Sequence, residues 1–493
     1  MNTLLGYDNN GRVADRGDAI VRTVSPAYRP YADEIYRLYK ERELANLGIV
    51  KTELEPGTGC FIHEKHVITY PYEWPADMYK DAVLFHLRLL LELDRYGLLL
   101  KDALPSNILF RSTEPVFVDF LSLIKKEHIG SEAWLANGGA YRDKRFCIAE
   151  RMLLPFMIEP LMDMTAKDYR LARRRLSSGA CNVAQTVAAK EPVSAAAPAK
   201  PEPLSLYRRG RRLLRAWLHR AAGRKAADKI IFAYRRDRNP DFIEYINSLR
   251  AFAKQLDVSP PASTYSTYYE EKKENYDFEA REHWGAKQRR VFGILESERP
   301  ATVIDLGANT GWFSFLAERL GARVIATDID ETCANIIYKA ARQHKRNILP
   351  LVMSFDDLTR EFFGQPYGGP EFEGRDFAGT PLFLAPVDRL RADLTMCLGL
   401  LHHLVLGMGY GLEKVFGVLA RITGRCLLVE FVGIDDAMIE GDPDFFAHLK
   451  DFNPENYRLE LVLQAGSRFF GLAEVLDSHP HTRKLILFKD KKP

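Results

Sequence analysis

Val303-Ile304-Asp305-Leu306-Gly307-Ala308-Asn309-Thr310-Gly311-Trp312-Phe313 decides how this chain is read. A short apolar run with the character of a buried strand enters a turn that carries two glycines, and the turn opens a helix. In doubly wound folds a ligand lies at the carboxyl ends of the strands, above such a turn. Gly307 lets the backbone come close to that ligand, and Gly311 allows tight packing of helix on strand. The run is not a three-glycine dinucleotide turn, because Asn309 holds a middle position. Asp305 stands just before the turn, which suits a cationic ligand better than a pyrophosphate.

Outward from this stretch, apolar strands alternate with helical patterns: Thr302–Gly307, Arg323–Asp330, Ile348–Phe355, Ala392–Leu400 and Cys426–Val432. Such alternation predicts βαβ units and a parallel sheet. The second strand ends in Ala326-Thr327-Asp328-Ile329-Asp330, with Asp328 23 residues after Asp305. An acid at that distance can accept both hydroxyls of a ribose. The third strand runs into Ser354-Phe355-Asp356-Asp357 and the fourth into Cys397-Leu398-Gly399-Leu400. Glu430 ends the fifth, followed by Asp435 and Asp436, which are read as solvated loop acids or as partners of a histidine or substrate.

These strand ends, in this order over Ala301–Phe431, resemble the class I S-adenosylmethionine-dependent methyltransferases, and Leu485–Phe488 suits that family's final strand. The resemblance implies an α/β fold whose C-terminal domain is Rossmann-like and seven-stranded, with S-adenosyl-L-methionine as cofactor. It implies a cofactor site of Asp305, Gly307, Asn309, Gly311 and Trp312 around the turn. Asp328 and Ile329 would lie at the ribose, Ser354, Phe355 and Asp356 near adenine, and Leu398 on the reacting edge. A sulfonium methyl is already activated, so the protein must mainly align the acceptor. A base is needed only for a hydroxyl or a protonated amine. His402 and His403, in the loop after the fourth strand, and Glu430 are the candidate catalytic residues. The histidines are weighed against packed core residues, and no metal site is expected. Tyr268-Tyr269-Glu270, Tyr276, Trp284 and Lys287 read as a helical lead-in that either lids the pocket or packs on the sheet.

The N-terminal part carries helical spacing over Tyr31–Asn46 and Tyr79–Tyr96, stopped by Gly97, and then a hairpin around Asn107–Phe110 and Val116–Phe120. Lys101-Asp102-Ala103-Leu104-Pro105-Ser106-Asn107 sets an Asp and an Asn five apart, and Asp119 follows 12 residues later. In phosphotransferases an Asp accepts the substrate proton, an Asn binds Mg²⁺ and a second Asp binds Mg²⁺. Asp102, Asn107 and Asp119 therefore resemble the catalytic loop and metal-binding Asp of kinase-like folds. The chain departs from that pattern: Lys101 replaces Arg, Leu121 replaces the glycine after Asp119-Phe120, and no Gly-rich phosphate loop precedes them. Arg22 would take the place of the usual strand lysine, with Glu34 or Glu41 as its helix partner. Mg-ATP enters only if this α+β half is active. Together with Tyr70–Trp74 and the paired histidines, the two halves resemble bacterial nodulation-protein-type methyltransferases with an N-terminal kinase-like region.

Composition bounds these readings. The chain has 493 residues, 46% hydrophobic and 27% charged, which fits two to four globular domains. A disordered, collagen-like or disulfide-dense protein is excluded. The net charge of +3 is a cancellation: residues 206–236 carry 11 Arg/Lys and one Asp, a local +10 that leaves −7 for the remainder. Residues 184–203, with seven Ala and four Pro, read as a flexible linker. The boundaries are therefore a degenerate kinase-like domain at 1–175, a linker at 176–205, a basic helical connector at 206–260 and the methyltransferase domain at 261–493. The basic stretch is amphipathic. It would pack on the acidic body, lie on an anionic membrane surface or grip RNA. Six widely spaced cysteines, an N-terminus without the apolar core of a secretory signal, and Leu394–Leu412 as strand and loop rather than a transmembrane segment fit a cytoplasmic protein. The function expected is methyl transfer to a small-molecule or saccharide acceptor, with the kinase-like half helping to bind it. The alternatives are a bifunctional kinase–methyltransferase, an RNA methyltransferase or a non-catalytic scaffold.

Overall fold

The structure is a computed structural model that describes residues 3–8, 11–128, 148–177, 242–267, 278–360, 362–363, 381–441 and 454–492. The basic segment, nearly all of the linker and Tyr268–Tyr276 lie outside the described residues.

The chain opens with five antiparallel strands, β1 (Thr3–Asp8), β2 (Gly11–Asp15), β3 (Ile20–Val24), β4 (Thr52–Leu54) and β5 (Phe61–His63), in the order β1-β2-β3-β5-β4. Helix α1 (Arg29–Glu41) lies between β3 and β4 in sequence and buries Ala32, Ile35 and Tyr39 along one face. Helix α2 (Ala76–Arg95) is the longest described and buries apolar residues over most of its surface, Met78, Ala82, Leu89 and Leu93 among them. Gly97, at φ +69°, ends it in a left-handed turn that favours glycine. Strand β6 (Leu98–Leu100) pairs with β9 (Leu123–Lys125), and the hairpin β7 (Ile108–Arg111) and β8 (Glu114–Phe117) lies between them in sequence. After a π-helical stretch at Ala149–Ile158 come α3 (Glu159–Thr165) and α4 (Phe242–Gln255), and α4 packs along α2.

The C-terminal part starts with α5 (Ala286–Glu298). It continues through β10 (Thr302–Leu306), α6 (Trp312–Arg319), β11 (Arg323–Asp328), α7 (Glu331–Gln343) and β12 (Ile348–Val352). A small strand pair, β13 (Phe362–Phe363) and β14 (Pro381–Phe383), precedes β15 (Ala392–Cys397), α8 (Leu412–Ile422) and β16 (Thr423–Val432). Helix α9 (Leu459–Ser467), β17 (Phe470–Asp477) and β18 (Arg483–Lys491) complete it. The large sheet has the order β12-β11-β10-β15-β16-β18-β17. The first five strands are parallel, β18 is antiparallel to β16, and β17 is antiparallel to β18. The chain winds outward from β10 to β12 and returns to β15, so the switch point lies between β10 and β15. That is where an open α/β sheet leaves a crevice for ligands.

Burial explains why the central strands were legible and the edge was not. Val303, Ile304, Leu394, Met396, Leu427 and Leu428 are covered on both faces and read as continuous apolar runs. Strand β17 is an edge strand with Leu472 and Val475 exposed, and no alternation marks it.

Side chains stitch the two parts together. Helix α2 starts without a side-chain cap of its own. Its first free amides are met by α7: Ala76 N–H donates to Glu331 Oε1 at 2.8 Å and Asp77 N–H to Asn335 Oδ1 at 2.9 Å. Asn335 Nδ2 donates back to Asp77 at 2.8 Å, and Tyr338 donates to Asp81 at 2.7 Å. Arg173 pairs with Glu331 and donates to the carbonyls of Tyr72 and Trp74. Arg389, in the helical turn Pro386–Arg389, pairs with buried Glu73, donates to Ile68 O at 2.5 Å and lies over the Tyr70 ring.

Candidate functional site

The site grows from the C-terminal ends of β10, β11 and β15. Asp305 is buried within the sheet, and Ser314, on the first turns of α6, donates its hydroxyl proton to Asp305 Oδ2 at 2.6 Å. Burial is the main reason the Asp305 carboxyl is pushed up to about 7; the Ser314 hydrogen bond and the Lys287 charge pull the other way. Gly307, Asn309 and Gly311 all have positive φ, at 65°, 52° and 91°. At Gly311 an added Cβ would also meet Ile337 at 2.9 Å, so glycine is required by space as well as by backbone. Trp312 is fully buried against Trp284 and Phe278 and therefore anchors α6.

Asp328 ends β11. Its carboxylate accepts Asn309 N–H at 2.7 Å and Asp330 N–H at 2.8 Å, which ties the end of the second strand to the first turn. Burial raises it to about 6 despite those bonds. Ile329, next in sequence, is 62% exposed, an apolar side chain uncovered beside a half-buried carboxylate. Ser354 holds Asp357 by its N–H and its hydroxyl, at 2.9 and 2.6 Å. Phe355 packs on Tyr410, whose hydroxyl donates to Asp356. The turn, Asp328, Ile329 and the Ser354–Asp356 segment thus share one edge of the sheet.

On the other side of the switch point, Leu398 and Gly399 follow β15. Glu430 is fully buried on β16 and pairs through Oε2 with Lys287 Nζ at 2.6 Å, while its Oε1 has no hydrogen-bond partner among the described residues. Lys287, in the first turn of α5, also lies 5.2 Å from the Phe313 ring centre. His402 and His403 lie ring to ring at 4.2 Å, at the start of the π-helical turn His403–Gly407. Burial, then the neighbouring His403, Arg483 and Lys287, push His402 down to about 3, and burial lowers His403. Both imidazoles are therefore neutral at pH 7. Asp436 is not a solvated loop acid: it is buried, accepts Arg483 through both oxygens at 2.7 and 2.9 Å, and accepts Thr482. These bonds hold its carboxyl well below the usual range. A cleft of about 420 Å³ opens beyond the turn, lined by Val405, Tyr410, Glu413, Asn456, Gln464 and Arg468.

The N-terminal candidates also come together. Asn107 Nδ2 donates to Asp102 O at 2.9 Å, and Asp102 N–H donates to Ser122 Oγ at 2.8 Å. Arg22 on β3 pairs with Asp119 at 3.1 Å rather than with a helix glutamate, and Glu34 on α1 pairs with Lys125. Among the described residues no group of three or more His, Cys, Asp or Glu is placed to hold a metal ion, and no helix is long and apolar enough to cross a membrane.

Sequence reading named Lys287 only as part of a lead-in and passed over Ser314, Tyr410 and Arg483. Their contacts span 9 to 143 residues and leave no local spacing to detect.

No protein-family model matches the chain. Among solved structures it matches the bifunctional kinase-methyltransferase WbdD at 15% identity, over 43% of this chain and 42% of that one, with a TM-score of 0.29. It also matches magnesium protoporphyrin IX methyltransferase (ChlM) from Synechocystis PCC 6803 with bound SAH, at 15% identity over 42% of this chain and 84% of that one, with a TM-score of 0.27. The match spans only about two fifths of WbdD's own length. Nodulation protein NoeA of Rhizobium meliloti (strain 1021) is 26% identical over 418 residues, 81% of this chain and 76% of that protein. Over most of its length, then, the chain is similar to nodulation protein NoeA, the resemblance its motifs had led us to expect.

Proposed function

We propose that the protein transfers a methyl group from S-adenosyl-L-methionine to a small-molecule or saccharide acceptor. The observation that carries this reading is the pair Asp305 and Asp328, a buried and a half-buried carboxylate at the ends of adjacent strands, joined through the Gly307–Gly311 turn. The residues present fit the cofactor. Asp328 can accept ribose hydroxyls with the lone pairs its backbone bonds leave over. Exposed Ile329 offers an apolar face to the nucleoside. Asp305 places negative potential where a cation would sit, and Glu430 Oε1 lacks a donor among the described residues. S-adenosyl-L-methionine bound there supplies an electrophilic methyl on sulfonium.

The chain's own residues then orient the acceptor. Neutral His402 or His403 can take a proton from an acceptor hydroxyl, and the low basicity of buried His402 makes the less buried His403 the better base. The cleft beside Tyr410 gives the acceptor amide, carboxylate and guanidinium partners in Asn456, Gln464, Glu413 and Arg468. The N-terminal part borders the same edge: Tyr70 accepts Leu384 N–H at 2.9 Å, and Tyr72 feels the charge of Asp357. We take that part to be a kinase-like fold that helps hold the acceptor. The Arg22–Asp119 pair sets an arginine against the acid that a Mg²⁺ would need, so no phosphotransfer step is assigned to it.

Methyl-labelled S-adenosyl-L-methionine, offered with panels of saccharides and small metabolites, tests the reading. Label in an acceptor supports it. Failure of S-adenosylhomocysteine to bind at millimolar concentration overturns it; at 100 times Kd that ligand should stabilise the fold by about 2.7 kcal/mol.

A further inference from the structure

The two edges of the large sheet are finished differently. At one edge β12 is short, carries Pro350 and is buried along Ile348–Leu351, with the turn Pro71–Glu73 against it. At the other, β17 runs for eight residues and pairs with β18 alone among the described residues. Gly471–Val475 are exposed in an unbroken row, so both faces of the strand stand clear of the helices. Leu472 is 50% exposed and Val475 41%. Natural edge strands are blunted by proline, by lysine or by cover. Strand β17 has no proline and no lysine. The lysines of β18 are engaged elsewhere, Lys484 with Asp477, Lys489 with Glu298 and Lys491 with the Thr423 carbonyl.

The alternation of an antiparallel ladder fixes which backbone groups are free. Ser478 N–H donates to Arg483 O, and the same register sets Leu476, Glu474 and Leu472 opposite Leu485, Leu487 and Lys489. The N–H and C=O of Ala473 and Val475 therefore point outward, away from β18. We propose that β17 pairs antiparallel with β17 of a second copy of this chain, about a two-fold axis at Ala473. Centred there, the pairing takes in Phe470–Leu476 of both copies. Glu474 then faces Leu472, Val475 faces Gly471, and the two Leu472 side chains meet diagonally across the axis. Centring on Glu474 would set two carboxylates opposite each other. Centring on Leu472 or Val475 would shorten the pairing, since the strand spans only Phe470–Asp477. The strand is thus complementary to itself, which a two-fold interface requires of a single surface. About six main-chain hydrogen bonds form, and the large sheets of the two copies become one.

The pairing is independent of the reaction catalysed, and the oligomeric state of the full chain tests it. Sedimentation velocity between ~1 and ~100 µM should show a monomer–dimer equilibrium, as suits the small interface of one strand pair. Val475→Pro removes an outward N–H and no bond to β18, and Leu472→Lys puts a charge on the edge. Each should weaken dimerisation by at least ~10-fold. Leu472→Lys should leave the melting temperature of the monomer unchanged, because the side chain it replaces is exposed. Val475→Ile should leave the dimer intact. Hydrogen exchange should show the Ala473 and Val475 amides protected only as the dimer forms. A chain that stays monomeric up to ~100 µM overturns the proposal, whether or not those amides are protected. So does a dimer that both edge variants leave unchanged. If Val475→Pro does not fold, Leu472→Lys decides alone.

Discussion

Arg389 and Glu73, 316 residues apart in the chain, form an ion pair in which both side chains are almost wholly buried. Removing one partner strands the other charge inside the protein. Arg389→Met should therefore cost about 3–5 kcal/mol of stability, and Glu73→Gln should cost less because the amide can still accept from the guanidinium. Urea unfolding of both single variants and the double variant measures the coupling. Wild-type stability for Arg389→Met would mean that the seam between the two parts opens in solution.

Acid should weaken the fold through buried histidines. His86 is 0% exposed, neither ring nitrogen has a hydrogen-bond partner among the described residues, and burial lowers it to about 3. The unfolded chain binds this proton below about 6.5, whereas the folded chain binds it only near 3. Protons therefore favour the unfolded state between those values, and stability falls as pH drops through the window. The slope is about 1.4 kcal/mol per pH unit for each such group. His86→Phe, edge-on to Phe117 as the imidazole is now, should flatten the stability–pH curve by about one proton. An unchanged slope would clear His86 of any part in acid sensitivity.

The carboxylates at the sheet edge should make binding depend on both pH and ligand charge. Asp305 and Asp328 lose their protons as pH rises through about 7 and 6. Ionised, they attract a sulfonium more than a neutral thioether. The ratio of S-adenosyl-L-methionine to S-adenosylhomocysteine affinity should rise between pH 5.5 and 8. Ser314→Ala removes a donor that favours ionised Asp305, so the rise should move to higher pH. A ratio that does not vary with pH would show that neither carboxylate faces the sulfur.

Asp328→Ala should weaken S-adenosylhomocysteine by roughly 10- to 100-fold, the range for hydrogen bonds to a charged group. Because Asp328 also accepts Asn309 N–H, the variant should be compared with Asn309→Ala. If both lower affinity equally, Asp328 acts through the turn rather than on the ribose.

Gly311→Ala should lower stability by about 1–3 kcal/mol, since alanine is strained at φ +91° and its methyl would meet the buried Ile337. Thermal unfolding reads this directly, and a neutral substitution would show that α6 can shift away from α7.

The parallel strands β10, β11, β12, β15 and β16 were readable because each has an apolar core, with Val303-Ile304, Val324-Ile325 and Leu427-Leu428-Val429 as examples, and because the strands alternate with helical patterns. The five N-terminal strands were not, apart from the strand position given to Arg22: they are three to six residues long, and Arg22 or His63 stands where a core pattern would need an apolar residue. Asp305 and Asp328 could be chosen because strand ends fix their place. The roles of Lys287, Ser314 and Arg483 depend on which elements meet, and no periodicity carries that information. Asp436 misled for the same reason. In sequence it is one acid in a loop, and only the fold brings Arg483 across to bury it.

Because the first amides of α2 are capped by Glu331 and Asn335 of α7, the fit between the two parts is written into their side chains and not into the length of chain that joins them. Substitutions on α7 must keep α2 in step, and those on α2 must do the same for α7. Selection can lengthen or recompose the joining segment freely, but it cannot exchange either part for a foreign counterpart without rebuilding the seam.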